Sequence, residues 1–340
     1  MNYSAITPVS DPWDSFVRSH ARGHCLQLRA WGKLKQAFGW RYEIVETPAG
    51  GTLILYRALP FRLGAMAYVP MGPLLRAEQG DATAVWQAIH AAARKQDAAF
   101  LKWEPGIYGT GDTPPQPTQL DFRESPQTVQ PPRTVLIDIA ADEETILARM
   151  NQGTRRKIRQ SLKNDVQYVE ATREQVSRFT QMMTETGTRN AFGTHSPEYY
   201  EQAYDLFVPE TAALILAEHE GDVLAGIMVF AVGKTAWYLY GASSSSKRNL
   251  MAAYGVQWKA IQWAKGRGCT HYDMWGIPDE DETTLEAQFE TRSDGLWGVY
   301  GFKRGWGGEV VRSLGAWDFV YTPLIYRAYQ FALRLRQSAE

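Results

Sequence analysis

The sequence predicts an α/β (α+β) chain built as two tandem units, each with a mixed central sheet flanked by helices. Three observations predict it. The stretch Thr235–Gly276 reads as one complete strand, polar loop, helix and strand. The same order of elements occurs once before, between Arg41 and Trp103. Laid over each other at an offset of 172 (258−86, 261−89 and 275−103), the two stretches bring Trp86 onto Trp258, Ile89 onto Ile261 and Trp103 onto Trp275. Self-similarity at one offset points to duplication; the competing explanation is that aromatic residues abound here, with 12 Trp in 340 residues.

In chain order, Asp14–Phe38 reads as helix in two pieces with a turn near Arg22–His24, and Lys33 and Lys35 precede the tight Gly39-Trp40. Arg41–Glu46, Thr52–Leu59 and Gly64–Val69 form a strand meander, broken by Pro48-Ala49-Gly50-Gly51 and by Pro60. Asp81 is placed to cap a helix with Val85, Ile89 and Ala92 on one face, and Phe100–Trp103 is a strand. Gly109–Arg133 carries Pro114, Pro115, Pro117, Pro126, Pro131 and Pro132, which rules out helix and suits an extended linker. The division expected is therefore 1–133 for the first unit and 134–315 for the second.

Thr134–Ile139 opens the second unit as a β-branched strand, and Asp142 caps the helix that follows, with Glu143 and Glu144 in its first turn. Asn151–Lys163 is the one basic cluster; as a helix it sets Arg155, Arg159 and Lys163 four residues apart, with Ile158 and Leu162 toward a core. Such a row suits a phosphate backbone or a diphosphate; otherwise it is a solvated face. Thr172–Thr188 turns Val176, Phe179 and Met183 inward, and Ser196-Pro197 starts another helix carrying Tyr199 and Tyr200. A lone histidine such as His195 is more often structural than catalytic.

In the Thr235–Gly276 unit, Thr235–Tyr240 is strand-forming, and Met251, Tyr254, Trp258 and Ile261 make a helical stripe. His271–Trp275 is a second strand, with Asp273 read as a carboxylate holding neighbouring backbone groups. Leu296–Gly308 reads as an aromatic, glycine-rich strand and turn whose only charges are Lys303 and Arg304. A lysine set among Phe302 and Trp306 has a depressed pKa or acts as a dry donor; the alternative is that it snorkels to water. Pro323–Arg336 is a closing helix with Arg327, Arg334 and Arg336, read first as a docking helix and second as a contact with an anionic membrane surface.

Several functions are disfavoured. Net charge is −1, so no global basic field gathers nucleic acid, and DNA is not an expected partner. Two cysteines and six dispersed histidines offer neither a disulfide framework nor a metal constellation. No Gly-x-Ser-x-Gly elbow, Walker loop or dinucleotide fingerprint is present. The first residues lack the basic and apolar regions of a secretory signal, and no run approaches a membrane span, so a cytoplasmic protein is expected.

Meander, polar loop, helix and strand is the order of the GNAT acyltransferase core, which makes a CoA-dependent N-acyltransferase one reading. Yet Arg248-Asn249-Leu250-Met251-Ala252-Ala253 carries Met251 where that fold's pyrophosphate loop wants glycine. An ordered set of motifs resembles another group, the FemABX aminoacyl-tRNA-dependent peptidyltransferases of peptidoglycan synthesis. The set comprises Trp31-Gly32-Lys33-Leu34-Lys35 with Gly39-Trp40, and Pro132–Ile139 leading to Met150, Arg155, Arg156, Lys157, Ile158 and Arg159. It continues with Tyr238–Ser243, Tyr272–Ile277 and Tyr300-Gly301-Phe302-Lys303. The likeness runs from about Trp31 to Gly315, and it lacks the long helical arm of some members.

The resemblance implies two GNAT-like domains, the first completed by 316–340, and a substrate channel across the second. It implies transfer of an aminoacyl group from aminoacyl-tRNA to the side-chain amine of a precursor stem peptide, either UDP-MurNAc-pentapeptide or its lipid-linked form, with no cofactor. By position Lys303, beside Phe302, matches the family's channel lysine, and Lys35, Tyr199 and Tyr240, with Tyr238 nearby, match residues that hold the nucleotide-sugar diphosphate. His195 stands where many relatives have arginine. Arg155, Arg159 and Lys163 are candidate tRNA contacts. The second reading of the closing helix would bring this cytoplasmic protein to the inner face of the membrane. A non-catalytic tRNA- or precursor-binding module is the third reading; it would bind normally with Lys303→Met and turn over in neither form.

Overall fold

The computed structural model describes residues 11–76, 82–108, 120–190 and 193–337. Two mixed sheets carry the fold. In the first, strands Arg41–Thr47, Gly50–Ala58 and Ala65–Pro70 run as an antiparallel meander. Ala98–Glu104 then adds in parallel after the helix Thr83–Lys95. In the second, Gln167–Glu170, Ala212–His219, Asp222–Val232 and Thr235–Ser243 form the meander, and His271–Asp273 adds in parallel after the helix Ala252–Gly266. The recurrent order predicted from the sequence is thus the order of hydrogen bonding in both sheets.

Beyond the parallel strand each sheet gains two antiparallel strands, and the chain supplies them from opposite directions. The first sheet receives Trp317–Val320 and, outside it, Arg123–Glu124. The second receives Arg133–Asp138 and then Glu309–Arg312. The chain therefore leaves the first sheet unfinished, builds the second around itself and returns to close the first.

Side-chain alternation explains how the sheets stack. In a strand successive residues face opposite sides. Leu214, Leu216, Met228 and Phe230 join a central core to which Leu53, Leu55, Met66 and Tyr68 of the first sheet also contribute. Their neighbours Ala213, Ile215, Ile227 and Val229 face the other way, onto Trp258 and Ile261. Ile54, Tyr56 and Val69 likewise pack on Val85, Trp86 and Ile89. Between the sheets lie the helices Pro12–Ser19 and Arg29–Ala37 and the pair Val176–Asn190 and Pro197–Phe207.

Most local expectations hold, with instructive departures. Asp142 and Asn151 cap their helices through the Thr145 and Thr154 N–H groups. Asp81 and the proline-rich 109–119 lie outside the described residues. Leu296–Gly308 is not strand and turn but the helix Trp297–Lys303 followed by a 3-10 turn. The buried Trp297, Tyr300 and Lys303 recur every third residue, a helical spacing that the glycines and aromatics obscured. Leu162 is exposed rather than core-facing, because Thr154, Ile158 and Ser161 supply the buried side of that helix.

One buried ion pair fastens the returning strand. Lys102 in the first sheet donates to Asp318 Oδ1 at 3.0 Å, to the Gln127 carbonyl at 2.8 Å and to the Ser125 hydroxyl. Tyr326 of the C-terminal helix donates to Asp318 Oδ2 at 2.8 Å. Removing one member strands the other charge away from water. Lys102→Met is expected to cost about 3–5 kcal/mol in urea unfolding, and pairing it with Asp318→Leu to restore most of that loss.

Candidate active site

The innermost feature of the site is a bend after His271–Asp273. The Asp273 carboxylate is buried and accepts from the Trp275 N–H at 2.7 Å, from the Tyr108 hydroxyl at 3.3 Å and from the Thr134 hydroxyl. Burial raises its pKa, against the pull of these donors and of nearby Lys303. Trp275 sits at φ +60°, in the left-handed region that bulky residues avoid, so the bend is held by its surroundings. Its consequence is that two backbone carbonyls turn toward one point. Lys303, at the end of the Trp297–Lys303 helix, donates there to the Gly276 carbonyl at 2.7 Å and to that of Trp275 at 3.3 Å.

Lys303 is only 6% exposed, and its ammonium lies 5.5 Å from the centre of the Tyr238 ring. Burial lowers its pKa from 10.5 to about 7, with Asp273 opposing the shift. It is thus a donor that is half charged near neutrality, beside a cavity of about 330 Å³ whose walls include Tyr238, Tyr240, Trp275 and His195. Phe302 faces away from that cavity's lining and packs on Tyr254 and Trp306.

A second cavity, of about 520 Å³, lies toward the first sheet and is lined by Lys35, Trp40, Arg57, His195 and Tyr199. The Lys35 ammonium donates to the Tyr199 hydroxyl at 2.8 Å and sits 4.7 Å from the centre of the Trp31 ring. Burial, then the positive charge of Arg57, lowers its pKa to about 8. The Tyr199 and Tyr240 hydroxyls are 3.3 Å apart, which carries the polar chain from Lys35 to the strand Thr235–Ser243.

His195 belongs to both cavities and stacks on Tyr199, ring centres 3.8 Å apart. Burial and the Lys35 charge push its pKa down to about 4. The imidazole is therefore neutral at ordinary pH, a hydrogen-bonding wall rather than the cation that an arginine would place there. Lys35, Tyr199, His195, Tyr240, Tyr238 and Lys303 thus form one continuous lining across both sheets.

The basic helix Gln152–Lys163 stands apart from this lining. Arg155 is half-buried, and its guanidinium donates to the Met150 carbonyl at 2.6 Å and the Ala148 carbonyl at 3.0 Å. Arg156, Arg159 and Lys163 are exposed and share a face. Met251 keeps a glycine-like φ of +55° before the helix Ala252–Gly266, so its side chain stands where an acyl-CoA loop would be bare. Arg57 was not legible as a site residue: in the sequence it is one arginine near a strand end, and only the packing of the helix Arg29–Ala37 on the first sheet brings it to Lys35.

Comparison with known proteins bears on this arrangement. The FemAB family model matches residues 120–222 and 218–334. Proteins named lipid II:glycine glycyltransferase are 23% identical in Staphylococcus saprophyticus and 22% in Staphylococcus aureus, with 92% of each chain covered. The solved structure of FemX superposes with a TM-score of 0.81 at 21% identity, covering 93% of this chain and 97% of that one. The C-terminal domain of a putative lysylphosphatidylglycerol synthetase from Agrobacterium fabrum follows at a TM-score of 0.54 and 14% identity, covering 86% and 88%. These last two share the fold. With the family model spanning well over half of its length, the chain belongs to the FemAB family.

Proposed function

We propose that this protein is an aminoacyltransferase that moves an aminoacyl group from aminoacyl-tRNA to the side-chain amine of a peptidoglycan precursor stem peptide. The observation that carries the reading is the continuous lining from Lys35 to Lys303, with a lysine of lowered pKa at each end. It gives one chamber suited to an anionic, sugar-linked head group and another suited to acyl transfer. The glycyltransferase relatives support the acceptor class. The residues fall into a first unit of 1–133 with 316–340 and a second of 134–315.

In this reading Lys35, Arg57 and the Tyr199 and Tyr240 hydroxyls hold the acceptor's diphosphate, cations and donors facing a doubly charged group. His195, neutral, accepts or donates a single hydrogen bond beside them. The acceptor amine reaches the Lys303 chamber and attacks the ester carbonyl at the tRNA 3′ end. A C–N bond forms, the C–O bond to the ribose breaks, and the ribose oxygen leaves with the proton the amine gives up. The protonated Lys303 lies where it can donate to the carbonyl oxygen as negative charge develops there. Asp273 is not a base in this scheme, since Thr134, Trp275 and Tyr108 already occupy its oxygens. The exposed row of Arg156, Arg159 and Lys163 meets the tRNA backbone.

Label from a charged tRNA pool is expected on the precursor, RNase-sensitive in its donor, and to fall by about 10²–10³-fold in Lys303→Met. Folding provides an independent check on the lysine's charge. A buried amine with pKa near 7 binds fewer protons folded than unfolded between pH 7 and 10.5, so it penalises the fold below that window and relaxes as pH rises through it. The melting temperature of Lys303→Met relative to the natural protein should accordingly be most favourable at pH 6 and decline toward pH 10.5. For the donor, Arg159→Glu with Lys163→Glu should lower the slope of log affinity for tRNA against log salt by about two, whereas Arg155→Gln should lower the melting temperature and leave that slope in place.

A further inference from the structure

The helix Pro323–Gln337 carries two apolar stripes, and the fold uses only one. Its inner stripe docks: Tyr326 and Tyr329 lie 5.2 and 4.8 Å from the Phe100 ring, and Ile325 packs on the central core. The outer stripe is Leu324, Ala328, Phe331 and Leu335, steps of four, three and four that fall within about 60° of one another around the helix. Leu324 is 78% exposed, Phe331 63% and Leu335 57%. Arg327 and Arg334 border one edge of this stripe, and the helix contains no Asp or Glu.

A second exposed element lies against the same helix. Phe61 is 93% exposed at the tip of the turn Pro60–Arg62, and both Phe61 and Arg62 sit at φ +57°. A bulky residue held in the left-handed region with its ring in water gains nothing from its own fold, and such outliers gather at sites with work to do. A groove of about 460 Å³ runs between this turn and the helix, with Phe61, Ala328 and Ala332 in its walls and, among the described residues, no carboxylate in its lining. Its far wall includes Arg57 and Ala58, which also line the Lys35 chamber.

Large apolar side chains exposed together, bordered by arginines, match the chemistry of an anionic bilayer, where rings and aliphatic groups enter the acyl boundary and guanidinium groups meet the headgroups. We propose that the Phe61 turn and the outer stripe of the Pro323–Gln337 helix seat the protein on an anionic membrane surface, so that the Lys35 chamber opens at headgroup level. The consequence for substrate, that the acceptor is the lipid-linked precursor taken from the surface, rests on the aminoacyl-transfer reading; the bilayer contact does not.

Sedimentation with vesicles of phosphatidylcholine, with and without phosphatidylglycerol, tests the contact. The full chain should sediment with the anionic vesicles and not with phosphatidylcholine alone. The triple variant Phe61→Ser, Phe331→Ser, Leu335→Ser should partition about tenfold or more weakly, with its melting temperature retained because all three side chains are exposed. Equal partitioning of variant and natural protein would overturn the proposal, as would a dimer seen by light scattering that the same substitutions dissociate, which would give this face to a second copy of the chain. In transfer assays the variant should keep its rate on the soluble UDP-linked acceptor and lose it on the lipid-linked acceptor in vesicles. Absence of transfer to either acceptor by the natural protein would count against the reaction, while the vesicle result would still decide the contact.

Discussion

A carboxylate buried where a strand ends, Asp273, is the constraint on which the active chamber depends. Its three donors come from three places: Thr134 on the neighbouring strand, Trp275 two residues on, and Tyr108 from the segment leaving the first sheet. Holding them fixes the bend that turns the Trp275 and Gly276 carbonyls toward Lys303. Carboxylate and ammonium are both disfavoured by burial, and each is partly restored by the other. Lys303 therefore holds its charge loosely, which is what the proposed role at a developing oxyanion asks of it.

The central layer shows a different economy. Strands that alternate between two apolar faces let each sheet serve a helix on one side and the shared core on the other. Because both sheets and four helices meet in that layer, residues distant in sequence become neighbours there. Lys35 and Tyr199, which share a hydrogen bond, are the case that lines the candidate site.

What was legible in the sequence followed from local rules. Period-two and period-three-to-four patterns located the meanders and the helices that follow them, and Asp142 announced a helix start through its short acceptor. The offset of 172 anticipated two sheets of matching order, because a helix face and the strand after it must keep their spacing to reuse one packing scheme. What was not legible depended on tertiary context. Glycines and aromatics disguised the Trp297–Lys303 helix. Arg155 looked like a surface cation until the fold brought its guanidinium onto carbonyls of the preceding turn. His195 gave no sign of its neutral state, which comes first from burial and then from the charge of Lys35, a residue 160 positions away (195−35).

The crossed closure of the two sheets has a consequence for how the molecule is made. Synthesis delivers most strands of the first sheet early, but among the described residues Arg123–Glu124 has no neighbour in that sheet except Trp317–Val320. Lys102 likewise waits for Asp318 while its ammonium faces a space that will become dry. The second sheet, by contrast, draws all its strands from Arg133 to Arg312 and is complete before the last one of the first emerges from the ribosome. The usual order of assembly from the N-terminus is thereby inverted: the half translated later closes first, and the half translated first stays open to chaperones until Trp317–Val320 arrives.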